Sequence, residues 1–340
     1  MPKSLSSPLS YLMSAGAAQD YLTHRGGVIA PREAKLVTGD EREDRSAFVH
    51  ITPHAIPLPV LIAVPHAGRA YPKDVIAGMR DPERSQLRLE DRYVDAVGVE
   101  VAKATGTGLL VAQAPRAMLD LNRAPDDIDW AMIDPQGRER PLAAAHRGTN
   151  NGRARNGLGL VPRRLSGSGE VWRSRLPIEE LERRIEQIHK PYHRFLSAEL
   201  ERICDMWGAA LLIDLHSMPP LRRPSGDEPA PQIVLGDRYG ASCHNALAAH
   251  AFRYLDNNGC RAWHNRPYSG GYVLDRHAAP TRGIHAIQIE LCRTTYLDAA
   301  LREPVASMGP LAKLLAGLVR ELGGLTARLG SGGQFAQAAE

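Results

Sequence analysis

Short, uninterrupted apolar runs alternate along this chain with stretches of helical spacing, and few folds accommodate that pattern. Val60-Leu61-Ile62-Ala63-Val64 is the clearest: too short for a helix and without polar alternation, it reads as a strand buried on both faces. Gly108 to Gln113, Ala209 to Leu215, Gln232 to Leu235 and His285 to Leu291 repeat the signal. Between them, helical periodicity covers about Pro82 to Thr105, Pro177 to Trp207 with Pro191 marking a kink, and about Ser242 to Asn257. This β-α-β rhythm predicts an α/β fold of three layers, a mixed and mostly parallel sheet flanked by helices.

The same reading divides the 340 residues into an N-terminal arm over 1–45, one catalytic α/β domain over 46–330 and a flexible tail over 331–340. Pro125 to Trp172, rich in Gly, Arg, Asn and Pro, reads as a long irregular excursion. With 42 basic and 38 acidic residues spread along the chain, the formal charge of +4 gives no basic block, so nucleic acid is not expected as a partner. No apolar run approaches the roughly 20 residues that cross a bilayer, and no secretory signal opens the chain, so no membrane partner and a cytoplasmic location are expected. Cys204, Cys243, Cys260 and Cys292 are widely spaced, without a C-x-x-C pair, and read as reduced core residues.

The chemistry gathers at strand ends, where open α/β sheets present ligands. The first run emerges into Pro65-His66-Ala67-Gly68, and a second ends in Asp214-Leu215-His216-Ser217, with Asp214 on the face of His216 and able to orient its ring. A single strand-end histidine is usually just hydrogen-bonded. Two from separate strands supply half of a catalytic zinc site, which takes three protein ligands and keeps one position open. The third ligand is sought in Leu89-Glu90-Asp91-Arg92, with Asp91 preferred and Glu90 the alternative. Glu290, set among apolar residues, is either a base with a raised pKa or the buried partner of Arg293. In Arg116 to Arg123, alternation would put Asp120 and Asn122 on one side with Arg123 beside them, an arrangement suited to a carboxylate unless Asp120 takes the arginines. The turn at Gly270 and Gly271 allows close backbone approach to a ligand.

Six ordered pieces now carry a resemblance: P-H-A-G at Pro65 to Gly68, an acid near Asp91, R-x-x-x-D-x-N-R at Arg116 to Arg123, D-x-H-S at Asp214 to Ser217, the Gly270-Gly271 turn and R-G-I-H-A-I-Q-I-E at Arg282 to Glu290. From about Pro59 to Asp298 the chain resembles the N-formylglutamate amidohydrolase family, itself similar to zinc carboxypeptidases and aspartoacylases. The resemblance implies a zinc exopeptidase-like fold and an amidohydrolase that cuts the formyl amide of a small anionic acyl-amino acid. It implies one zinc ion, another divalent metal being the substitute, on His66, Asp91 and His216, with Glu290 and Arg123 catalytic. Arg116, Asn122, Gly270, Gly271, Arg276 and His277 are its implied substrate contacts. Those relatives place a glutamate ligand three residues after the first histidine, where this chain has Arg69, so Asp91 or Glu90 must stand in. A carboxypeptidase, another acyl-amino-acid hydrolase and a non-catalytic metabolite-binding protein are the rival readings. Oligomeric state is left open.

Overall fold

The computed structural model describes residues 26–29, 35–36, 45–53, 55–134, 154, 156–165, 167, 169–222 and 230–337. Most of the expected arm, the middle of the 125–172 excursion and the end of the expected tail lie outside the described residues.

The strands of the main sheet are β1 (Gly26–Ile29), β2 (Phe48–Pro53), β3 (Val60–Val64), β4 (Gly108–Ala112), β5 (Ala210–Met218), β6 (Ile233–Gly236), β7 (Ala262–His264) and β8 (Ile284–Cys292). They lie in the order β1-β2-β4-β3-β5-β8-β6-β7. The central β4, β3, β5 and β8 are mutually parallel, β1, β2 and β4 pair antiparallel, and β6 runs antiparallel to β8. The expected mixed, mostly parallel sheet is what forms. β1 adds a feature that the sequence reading missed, since Gly26–Ile29 falls within the expected arm yet pairs with β2 as an edge strand.

The helices are α1 (Lys73–Gly78), α2 (Pro82–Leu89), α3 (Val94–Thr105), α4 (Ile178–Arg184), α5 (Lys190–Trp207), α6 (Asn245–Asn257), α7 (Tyr272–His277) and α8 (Met308–Gln337). Alternation within the strands decides which helices each face receives. Val60, Ile62 and Val64 of β3 join Leu211, Ile213 and Leu215 of β5 against α3, α6 and α8. Leu61 and Ala63, with Ala210 and Leu212, face the opposite layer, built on α4, α5 and the loops around α1 and α2. Every residue of β3 is thereby buried, as its unbroken apolar run demands.

Two helices differ from their periodicity. The single segment expected from Pro82 to Thr105 is broken at residues 90–93, with Tyr93 in the left-handed region at φ 60°. The Pro177–Trp207 helix is interrupted by a π-helical turn over Ile185–His189, which ends two residues before Pro191. Such turns widen a helix locally and recur at functional sites. Helix α8 runs to Gln337, past the start of the expected tail. Among the described residues no helix is long and apolar enough to cross a membrane. All four cysteines are free thiols, three of them buried.

Candidate metal centre and active site

On one face of β5 and β8 the side chains change from apolar to polar at the same register. Ala210 and Leu212 give way to Asp214 and His216, while Ile284 and Ala286 give way to Gln288 and Glu290. The parallel ladder sets Asp214 beside Gln288 and His216 beside Glu290. The C-terminal ends of two central strands therefore carry four polar side chains on one face, all buried.

His66 comes from the turn after β3. The turn seats closely because Gly68 has no Cβ: one built there would lie 2.2 Å from the Ala114 carbonyl oxygen. Asp91 comes from the break between α2 and α3, its N–H donating to the His66 carbonyl at 2.9 Å. The break, which periodicity did not reveal, is what carries the carboxylate into the site. Arg69 turns away, its guanidinium paired with Asp95 at 2.9 Å. Glu90 lies outside the cluster, bonded to Arg92 at 3.0 Å.

His66 Nδ1 and His216 Nδ1 are 3.1 Å apart, and Asp91 Oδ2 lies 3.2 Å from His216 Nδ1 and 3.6 Å from His66 Nδ1. The outer ring nitrogens are turned onto carboxylates: His66 Nε2 to Asp120 Oδ1 at 2.7 Å and His216 Nε2 to Asp214 Oδ2 at 2.8 Å. A carboxylate only accepts, so each Nε2 carries a proton and a neutral ring keeps its lone pair on Nδ1. With both rings neutral, two imidazole lone pairs and a carboxylate oxygen converge with no donor among them, so the cluster calls for a positive charge between them, either a proton on a ring nitrogen or a metal ion. The three ligand atoms lie within 4.8 Å of one another, and imidazoles backed by carboxylates are the donor set of a zinc-type centre.

The electrostatics follow the same logic. Burial opposes a charge on His216, but the Asp214 carboxylate and the hydrogen bonds to Asp214 and Asp91 carry its pKa well above the usual imidazole range. Burial likewise opposes ionisation of Asp91, yet hydrogen bonds from His216 and His66 hold it well below the usual carboxylate range. A proton and a metal ion thus compete for one place. Asp120 is also held well below its ordinary value, against its burial, by Arg116, His66 and Arg123. Burial pushes the Glu290 carboxyl up to about 7.

His66, Asp91, His216 and Glu290 line a cavity of about 360 Å³ that also takes in Arg88, Arg116, Asn122, Arg123, Gly270 and Gly271. Arg116 Nε donates to Asp120 Oδ2 at 2.9 Å, and Arg123 is anchored through Nε to the Leu158 carbonyl at 2.9 Å. Arg293 does not pair with Glu290. Its Nη2 reaches the Glu90 carbonyl at 2.6 Å and Asp91 Oδ1 at 3.2 Å, leaving Asp91 Oδ2 to face the histidines.

Arg276 and His277 are not among the residues lining the cavity. Arg276 is exposed, and His277 is buried and bonded to His193 at 2.9 Å and Ser197 at 3.1 Å. The Arg116–Arg123 segment is a string of turns, with Met118 N on the Pro115 carbonyl and Arg123 N on the Asp120 carbonyl, so strand alternation does not apply to it. Sequence reasoning missed the role of Asp120 behind His66, and missed Gln288 altogether. The period of two that linked Asp214 to His216 links Gln288 to Glu290 equally well.

A family model described as N-formylglutamate amidohydrolase matches residues 58–297, over which all of these site residues fall. The chain belongs to that family. It is 32% identical over 243 residues to an N-formylglutamate deformylase of Pseudomonas putida, covering 71% of this chain and 82% of the relative. A Pseudomonas aeruginosa N-formylglutamate deformylase is 30% identical over 268 residues, 78% of this chain and 91% of the relative. The crystal structure of N-formylglutamate amidohydrolase from Ralstonia eutropha JMP134 superposes with a TM-score of 0.68 at 29% identity, covering 84% of this chain and 97% of that one. The stretch matched by the family model agrees with the Pro59 to Asp298 span of the motif resemblance.

Proposed function

We propose that this chain hydrolyses N-formyl-L-glutamate to formate and L-glutamate with one divalent cation, zinc in the first instance, on His66, Asp91 and His216. The observation that carries the reading is the convergence of three buried acceptor atoms beside a buried glutamate whose pKa is about 7. The N-formylglutamate deformylases among the relatives supply the substrate. The free thiols accord with the cytoplasmic location we assign to the activity.

A cation held there supplies Lewis acidity toward water and toward the formyl carbonyl. Glu290, a buried carboxylate beside the cluster, takes the proton of the attacking water as the new C–O bond forms at the formyl carbon. As the C–N bond breaks, Glu290 returns that proton to the departing nitrogen, since an amide anion is a very poor leaving group. Formate and the free amino group of glutamate are the products. Arg88, Arg116 and Arg123 give the cavity cationic walls matched to a dianionic substrate, and we assign the developing oxyanion to Arg123. The cavity volume suits a small acyl-amino acid rather than a polypeptide.

The test is a panel of N-formyl-L-glutamate, N-acetyl-L-aspartate and short peptides on metal-analysed protein, with wild type beside Glu290→Gln. Formate release from the first substrate should dominate, and Glu290→Gln should lose about 10²- to 10⁴-fold in kcat with its metal content intact. Undiminished turnover by Glu290→Gln, or faster cleavage of acetylaspartate or peptides, would overturn the reading.

A further inference from the structure

We propose that Asn122 and Gln288 form an amide relay that presents Glu290 as a proton acceptor, so that Asn122 serves the base and does not grip the substrate. The proposal rests on the assignment of Glu290 as the base. Asn122 Oδ1 accepts from the Val273 N–H at 2.9 Å, Asn122 Nδ2 donates to Gln288 Oε1 at 3.2 Å, and Gln288 Nε2 donates to Glu290 Oε1 at 2.9 Å. All three side chains are buried.

The direction of this chain is fixed by its first member. A backbone N–H can only donate, so the Asn122 oxygen must face Val273 and its NH2 must face Gln288. The Gln288 oxygen then has to meet that NH2, which aims its own NH2 at the carboxylate. One main-chain donor, at the start of α7, thereby sets the orientation of two amides that would otherwise be ambiguous. Glu290 receives a donor on Oε1, so its proton is steered to Oε2. The relay also meets the metal cluster: Asn122 N donates at 2.8 Å to Asp120 Oδ1, the same atom that holds His66 Nε2. Base and first histidine are tied to one turn.

Gly271 provides the space for this arrangement. A Cβ there would stand 2.5 Å from Asn122 Oδ1 and 2.8 Å from both Cγ and Nδ2, so the glycine is required by the asparagine independently of any ligand.

The test compares Asn122→Ala, Asn122→Asp and Gln288→Met, each alone and in the Glu290→Gln background. Binding of N-methanesulfonyl-L-glutamate, a sulfonamide that resists hydrolysis, is measured by calorimetry beside the kinetics. Each single variant should lose roughly ten- to a hundredfold in kcat, with KM and sulfonamide Kd within about twofold of wild type. In the Glu290→Gln background the same substitutions should cost almost nothing further. Asn122→Asp retains the volume and the Val273 bond but cannot donate, so it should be as impaired as Asn122→Ala, and it keeps the proposal testable where the truncation does not fold. A tenfold rise in KM and Kd with kcat preserved, or full additivity with Glu290→Gln, would overturn the relay alone. Undiminished turnover by Glu290→Gln itself would overturn the assignment of the base and the relay with it.

Discussion

Replacing Gly271 by alanine isolates one geometric requirement of the site. The new Cβ would sit 2.5 Å from Asn122 Oδ1, where ordinary van der Waals contact begins near 3.4 Å. Gly271 itself has a φ of −133°, which alanine adopts freely, so the cost is steric and not conformational. The Asn122 amide must retreat by about 1 Å in a packed interior, which costs on the order of 1–3 kcal/mol of stability. It cannot retreat without lengthening its bonds to Val273 and Gln288, and through Gln288 it disturbs Glu290. A displacement of about 1 Å at a reacting group is worth roughly 10²-fold in rate. Gly271→Ala should therefore lower kcat for formate release about a hundredfold, leave bound metal unchanged, and shift the urea midpoint modestly. Relieving the clash with Gly271→Ala/Asn122→Ala should not restore the rate, because the bonds to Val273 and Gln288 are then gone. A Gly271→Ala enzyme with wild-type kcat, or a double variant that regains activity, would show that the Asn122 position is not needed for turnover.

Other consequences are independent of that turn. Asp214→Asn weakens the carboxylate behind His216 Nε2, 2.8 Å away, and should loosen zinc about 10- to 100-fold in competition with a chromophoric chelator; an unchanged Kd would count against the orienting role. Burial holds His277 down at about 3 and His285 at about 4, from an ordinary 6.5, so the fold accepts their neutral forms while the unfolded chain protonates more readily. Their contribution is complete above pH 6.5 and is lost as the pH falls below it, together about 3 kcal/mol between pH 7.5 and 5.5. Urea denaturation at the two pH values, on wild type beside a His277→Gln/His285→Gln variant so that the other histidines cancel, measures this, and the same pH dependence in both proteins would exclude it.

The architecture was legible because strands buried on both faces leave an unambiguous mark, as Val60–Val64 does. His66, His216 and the orienting Asp214 were legible for a related reason: each sits in or just after such a run, and a period of two tells which neighbours share its face. Asp91 was nameable but not placeable. Its position depends on a left-handed Tyr93 that splits one periodic stretch into α2 and α3, and periodicity does not register a backbone reversal made by a tyrosine. Arg276 and His277 drew attention by charge within a matched stretch, yet α7 turns the one to solvent and the other toward His193. His189 and His193 show what only packing reveals. Carried by the π-helical turn and the start of α5, they bond the Arg123 carbonyl at 2.9 Å and the Leu121 carbonyl at 3.0 Å, holding from behind the turn that bears Asn122.

The proposed hydrolysis depends on one divalent cation held by His66, Asp91 and His216. Exhaustive chelation followed by stepwise zinc addition, with formate release from N-formyl-L-glutamate and elemental analysis on the same samples, tests it most directly. Activity should vanish on chelation and return in proportion to zinc, saturating at one equivalent per chain, while His216→Ala should neither retain the ion nor recover. Full turnover by metal-free protein, or tight stoichiometric zinc in His216→Ala, would rule out this metal site.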